Sequence, residues 1–145
     1  MPRRVFLIFL LLGMSCSTGK SLLKAGHAAE CASISPAEAH ALIEENAQNS
    51  PLVILDLRTE SEYGKCRLAR ARNLDFYRRE FDSSLAALDR RARYVIYCGH
   101  GIRSAAVLLR MRRLGFLNVY EIRGGIAAWA AMKLPLAGNN GHGGK

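Results

Sequence analysis

Short apolar runs alternate with segments of helical periodicity between Ile34 and Ala137, and few architectures accept that order. Leu52 to Leu55, Arg93 to Tyr97 and Asn118 to Ile122 read as strands. Ser35-Pro36-Ala37-Glu38 is a capping box with proline at the first helical position, and it opens a helix to about Ala47. Thr59-Glu60-Ser61-Glu62 is a second capping box, for a short helix. Asp82 to Arg90 reads as helix. So does Arg103 to Leu114, with Val107, Leu108, Met111 and Leu114 on one side and Gly115 as a stop. Gly125 to Met132 is a last helix before Pro135. Strands alternating with helices predict an α/β domain whose parallel sheet is covered on both faces. Such sheets bind ligands beyond the carboxyl ends of their strands. Asp56 and Cys98 both fall at such ends.

A chain of 145 residues, half of them apolar, predicts one domain with a true core. The net charge of +9 gathers in Arg3-Arg4, Arg78-Arg79, Arg90-Arg91 with Arg93, and Arg112-Arg113. No aromatic residues interleave these basic groups and no zinc-finger spacing is present, so a solvated basic surface is expected and no nucleic-acid partner. Residues 1–16 read as an export signal. Arg3 and Arg4 precede the apolar run Val5 to Leu12, which is too short to span a bilayer, and Gly13-Met14-Ser15 offers small residues for a signal peptidase. Cys16 follows directly, as at a bacterial lipoprotein site, although Gly13 stands where an aliphatic residue is usual. The expected location is therefore periplasmic, either free or anchored through a lipid on Cys16. Residues 17–33 read as a flexible tether, 34–137 as the folded domain and 138–145 as a glycine-rich tail. With the leader removed, Cys31, Cys66 and Cys98 remain, so at least one thiol has no partner within the chain.

The chemistry is concentrated in Tyr97-Cys98-Gly99-His100-Gly101-Ile102-Arg103-Ser104. A cysteine leaves a buried strand, and a helix begins five residues later. Gly99 and Gly101 let the backbone curl so that successive N–H groups point inward as an anion nest. The helix start adds free N–H groups and the positive end of its dipole, and Arg103 adds a charge. All of these favour thiolate over thiol. An ordinary cysteine titrates near pH 8.5, and sites of this kind bring it to roughly 3.5–7.5. A shift of two pH units needs about 2.7 kcal/mol of preferential stabilisation, which helix-end, arginine and N–H contributions together supply.

The loop Cys98 to Ser104 resembles the C-x-x-G-x-R-S active-site loop of the rhodanese (thiosulfate sulfurtransferase) domain family. Gly124-Gly125-Ile126-Ala127-Ala128-Trp129 resembles its G-G-x-x-x-W, Asp56-Leu57-Arg58 its D-x-R, and Glu62-Tyr63 its E-F/Y. With Asn73-Leu74, these motifs span Ile34 to Pro135 in the family's order. The resemblance implies a three-layer fold with a central parallel sheet of about five strands and helices on both faces. It also implies a catalytic Cys98 that cycles through a persulfide. Gly99, His100, Gly101, Ile102 and Arg103 would bind the substrate, with Arg103 drawing in a small anionic donor such as thiosulfate. A thiol or cyanide would accept the sulfur, and no metal or organic cofactor is needed.

Cys66-Arg67-Leu68-Ala69-Arg70-Ala71 departs from the G-H-I-P-G-A that the family commonly carries before the asparagine. Cys66 is either a structural cysteine or a resolving thiol that closes a disulfide with Cys98. Asp56 and Arg58 are expected to orient the fold by ion pairing, and Trp129 to lie in the core. His100 is either a donor-binding or a solvent-facing side chain. Phosphate or arsenate transfer is the nearest rival chemistry, but its loops resemble C-x5-R, and here Ser104 stands at that arginine position. A non-catalytic sulfur-binding or interaction module is the other alternative.

Overall fold

Ser35 and Thr59 start two helices for the same reason. Each side chain accepts the backbone N–H three residues on, and that residue's carboxylate accepts the cap's own N–H. The computed structural model describes residues 30–47 and 52–138. Its elements run β1 (Glu30–Ile34), α1 (Pro36–Glu45), β2 (Leu52–Asp56), α2 (Glu60–Lys65), β3 (Arg72–Asn73), α3 (Phe81–Ala86), β4 (Arg93–Tyr97), α4 (Ile102–Arg113), β5 (Asn118–Ile122) and α5 (Gly125–Ala131). The five strands form one parallel sheet in the order β1-β5-β4-β2-β3.

Alternation along β4 divides the core. Val95 and Tyr97 face α1 and α5, packing with Ala39, Leu42, Ile126 and Trp129. Tyr94, Ile96 and then Cys98 face α3 and α4, packing with Phe81, Leu85, Val107 and Met111. Helices thus cover both faces of the sheet, as the strand–helix alternation requires. Trp129 is a core residue, its indole N–H donating to the Pro135 carbonyl at 3.0 Å.

Three expectations are corrected. Glu30 to Ser33, expected within the tether, belong to β1, which pairs along its length with β5. Only Ile34 in that strand is a large apolar residue, so its exposed edge position leaves no apolar run to read. The helix expected over Asp82 to Arg90 ends at Ala86. There Asp89 takes the Arg91 N–H on its side chain and the Ala92 N–H on its carbonyl, turning the chain into β4. Gly138, expected as the first tail residue, packs so closely on Lys65 and Cys66 that a Cβ would meet the Cys66 Cα at 2.8 Å. The proposed signal with Cys16, the tether up to residue 29 and the tail from residue 139 lie outside the described residues.

Candidate active site

Cys98 directly follows β4 at the carboxyl edge of the sheet, 1 % exposed and on the α4 face. The next three residues turn the chain back into α4. Gly101 performs the turn with φ +94°, a conformation that costs a side-chain-bearing residue about 1–2 kcal/mol. As a result its N–H points back and donates to the Cys98 sulfur at 3.2 Å. Ser104, one turn into α4 and fully buried, sets its hydroxyl 3.5 Å from the same sulfur.

The start of α5 braces this loop from outside. The Ile126 and Ala127 N–H groups donate to the carbonyls of Cys98 and Gly99 at 2.9 and 3.0 Å. That approach requires Gly125, where a Cβ would meet the Gly99 oxygen at 2.8 Å. The two glycine-rich motifs are therefore halves of one object.

Burial by itself would push the Cys98 thiol up. The Ser104 hydroxyl and the N–H groups of Ser104, Gly101 and His100 outweigh it and hold the thiol below its ordinary value. Arg103, half-buried, lies 3.5 Å from the Glu62 carboxylate and over the Tyr77 ring at 5.4 Å. Despite burial, the Glu62 hydrogen bond and charge raise the Arg103 guanidinium, with the charges of Cys98 and Tyr77 adding to them. The Thr59 N–H and hydroxyl, helped by Arg103, hold Glu62 below the usual carboxylate range against its own partial burial. The capping box of α2 therefore fixes the carboxylate that fixes Arg103.

A second, fully buried network ties the sheet edge together. Arg58 grips Asp56 through Nη2–Oδ2 at 2.6 Å and donates to the Cys66 carbonyl. The Tyr97 hydroxyl donates to Asp56 at 2.7 Å and accepts from the Leu68 N–H. Burial, followed by the Asp56 charge, pushes the Tyr97 phenol far up, so it stays a donor. Asp56 and Arg58 thus orient the fold, as the sequence led us to expect. A cavity of about 390 Å³ between α2 and α3 is lined by Glu60, Asn73, Asp75, Arg78 and Phe81, without Cys98 in its wall.

The structure brings Cys98, Gly99, Gly101 and Arg103 together. His100 and Ile102 project to the surface, Ile102 being 82 % exposed. Cys66 is not brought to Cys98. Cys31, Cys66 and Cys98 are all free thiols, and Cys66 packs with the core on the opposite side of the sheet. Of the two readings of Cys66, the structural cysteine fits, and the resolving disulfide finds no geometric basis. Nor does phosphate chemistry, because the position its arginine would hold is the buried Ser104. Sequence reasoning missed two groups. Ser104 stands out in the sequence only through the loop motif and the C-x5-R comparison, with no role of its own, and Glu121 is hidden within a strand although it is 2 % exposed. A carboxylate inside a buried strand was the available signal.

The model of the rhodanese-like domain family matches residues 35–132. The chain is 32 % identical over 87 residues to the thiosulfate sulfurtransferase GlpE of Coxiella burnetii, covering 60 % of this chain and 79 % of that protein. It is 28 % identical over 111 residues to the probable adenylyltransferase/sulfurtransferase MoeZ of Mycobacterium tuberculosis, covering 77 % of this chain but only 28 % of that relative's length. Among solved structures, a rhodanese-related protein from Thermoplasma volcanium matches with a TM-score of 0.60 and 30 % identity, covering 72 % of this chain and 96 % of that one. The family model covers most of the chain and the structural likeness extends over the same domain, and this chain belongs to the rhodanese-like domain family.

Proposed function

We propose that this protein is a sulfurtransferase that carries sulfane sulfur as a persulfide on Cys98. One observation carries the reading: the Cys98 sulfur sits in a ring of main-chain N–H groups opened by Gly101, which donates to it at 3.2 Å, and the thiol is held below its ordinary value. In the first half-reaction the thiolate attacks the outer sulfur of thiosulfate. An S–S bond forms to Cys98, the bond to the sulfonyl sulfur breaks, and sulfite leaves with the electron pair. In the second, cyanide or a thiolate attacks the terminal sulfur and Cys98 departs as thiolate. The backbone of Gly99, His100, Gly101, Ile102 and Arg103 holds the terminal sulfur, and Arg103 attracts the anionic donor. This chemistry uses no metal or organic cofactor. The sulfurtransferase names of the Coxiella and Mycobacterium relatives support the same reading.

After treatment with thiosulfate, intact-mass spectrometry is expected to show one added sulfur atom, mapped to the Cys98 peptide and removed by cyanide as thiocyanate. Cys98→Ala is expected to abolish both. Thiocyanate formation that survives the substitution, or a wild-type protein that never gains mass, refutes the assignment. The leader motifs further support an exported form, free in the periplasm or anchored through Cys16. A mature chain that still begins at Met1 refutes that location.

A further inference from the structure

Glu121 is a carboxylate near the carboxyl end of β5 with no Lys or Arg ion-paired to it among the described residues. It is held by two hydroxyls instead. Ser33 of β1 donates to Oε2 at 2.5 Å, and Ser104 of α4 donates to Oε1 at 2.7 Å. The carboxylate lies directly beneath the cradle, since a Cβ on Gly101 would stand 3.5 Å from Oε1. Ser104 has three acceptors around one hydroxyl proton: Glu121 at 2.7 Å, the Gly101 carbonyl at 3.1 Å and the Cys98 sulfur at 3.5 Å. A hydroxyl donates once. The short bond to the Glu121 carboxylate is the strongest of the three, so Glu121 takes the larger share of the proton and the sulfur keeps only the long 3.5 Å bond.

We propose that Glu121 is a positioning residue for the Cys98 sulfur, drawing the single Ser104 hydroxyl proton toward itself and so limiting the share that the sulfur receives. The proposal rests on Cys98 being the sulfur carrier. Ionised Cys98 strengthens its long bond from Ser104 only at the expense of the carboxylate, so the two anions compete for one donor. The competition moderates the cradle. A thiolate that binds its proton more tightly is the stronger nucleophile, with a Brønsted slope of about 0.4–0.5. The other charged or titratable groups around the sulfur are Arg103 of α4, Glu62 of α2 behind it, and His100 in the loop. On the far side of Glu121, Arg123 donates to the Ser33 carbonyl at 3.1 Å.

The test follows Cys98 alkylation by iodoacetamide against pH in the full chain, read on the Cys98 peptide by mass spectrometry. Glu121→Gln removes the charge and releases the Ser104 proton. The ionisation midpoint is expected to fall by about one pH unit, while the limiting rate at high pH falls roughly threefold. A generally loosened site would not produce two curves that cross in this way. Ser33→Ala takes one donor from Glu121, tightens its hold on Ser104 and is expected to move the midpoint up. This edge-strand change keeps the test decisive if Glu121→Gln does not fold. With Ser104→Ala in the background, the Glu121→Gln shift is expected to shrink at least by half. A midpoint unmoved by Glu121→Gln at unchanged melting temperature, or an equal shift without Ser104, overturns the proposal. Failure of the carrier reading would show separately, as wild-type protein whose Cys98 never gains sulfur.

Discussion

Gly125→Ala is expected to damage the site far more than a glycine-to-alanine change elsewhere, for reasons worked from two distances. Gly125 has φ +61°, and a Cβ there overlaps the Cys98 carbonyl oxygen and meets the carbonyl carbon and oxygen of Gly99 at 2.8 Å. These are backbone atoms of the cradle and cannot rotate away. The left-handed conformation costs alanine about 1–2 kcal/mol. Relieving the overlap lengthens the Ile126 and Ala127 N–H bonds to the loop, now 2.9 and 3.0 Å, each worth about 0.5–1.5 kcal/mol. The sum is about 3 kcal/mol, which lowers the melting temperature of a domain this size by roughly 10–20 °C. Gly115→Ala is the matched control. Its φ of +83° is strained in the same way, but no atom lies within 4 Å of the added Cβ, so it should cost about 1–2 kcal/mol. Thermal melts by circular dichroism compare the two, and Cys98 alkylation against pH follows the site. In Gly125→Ala the displaced loop is expected to let the Cys98 midpoint rise toward the ordinary value near 8.5. If the two variants melt alike, and the Cys98 midpoint is the same in both, the bracing of the loop by α5 is refuted.

Two other outcomes follow from particular residues. Arg70 holds φ +63° where the family commonly has glycine, and its guanidinium donates to the Ile43 and Ala47 carbonyls at the end of α1. Arg70→Ala should therefore be less stable than Arg70→Gly by about 1 kcal/mol in urea unfolding, because it loses the bonds without relieving the backbone; equal stabilities would show that the backbone carries no strain. Cys98 is expected to make stability depend on pH. Its folded midpoint is lowered, so the unfolded state binds more protons between the two midpoints. Its contribution is complete above the unfolded midpoint near pH 8.5 and is lost as pH falls through the folded one. Cys98→Ser should remove that rise, and a rise of the same size in the variant would assign it to another group.

What the sequence disclosed and what it hid divide along the range of the interactions. Ser35 with Glu38, and Thr59 with Glu62, cap their helices through bonds three residues long, so spacing alone placed both elements. Gly101 was equally readable, because a backbone that must take positive φ leaves its mark at a single position, whereas Gly125 stood out only through the resemblance of its motif. β1 was hidden. Its residues Glu-Cys-Ala-Ser-Ile carry little apolar signal, and pairing with a strand more than eighty residues away is invisible to local pattern. The loss of β1 hid Ser33, and without Ser33 and Ser104 a carboxylate at position 121 looks like an accident within a strand. The shape of the cradle is thus written into the loop that forms it. The allocation of protons beneath it depends on β1 and β5 aligning Ser33 with Glu121 in register, and on α4 returning Ser104 to the same carboxylate. Local sequence therefore identifies which sulfur is made reactive, and sheet register determines how reactive it becomes.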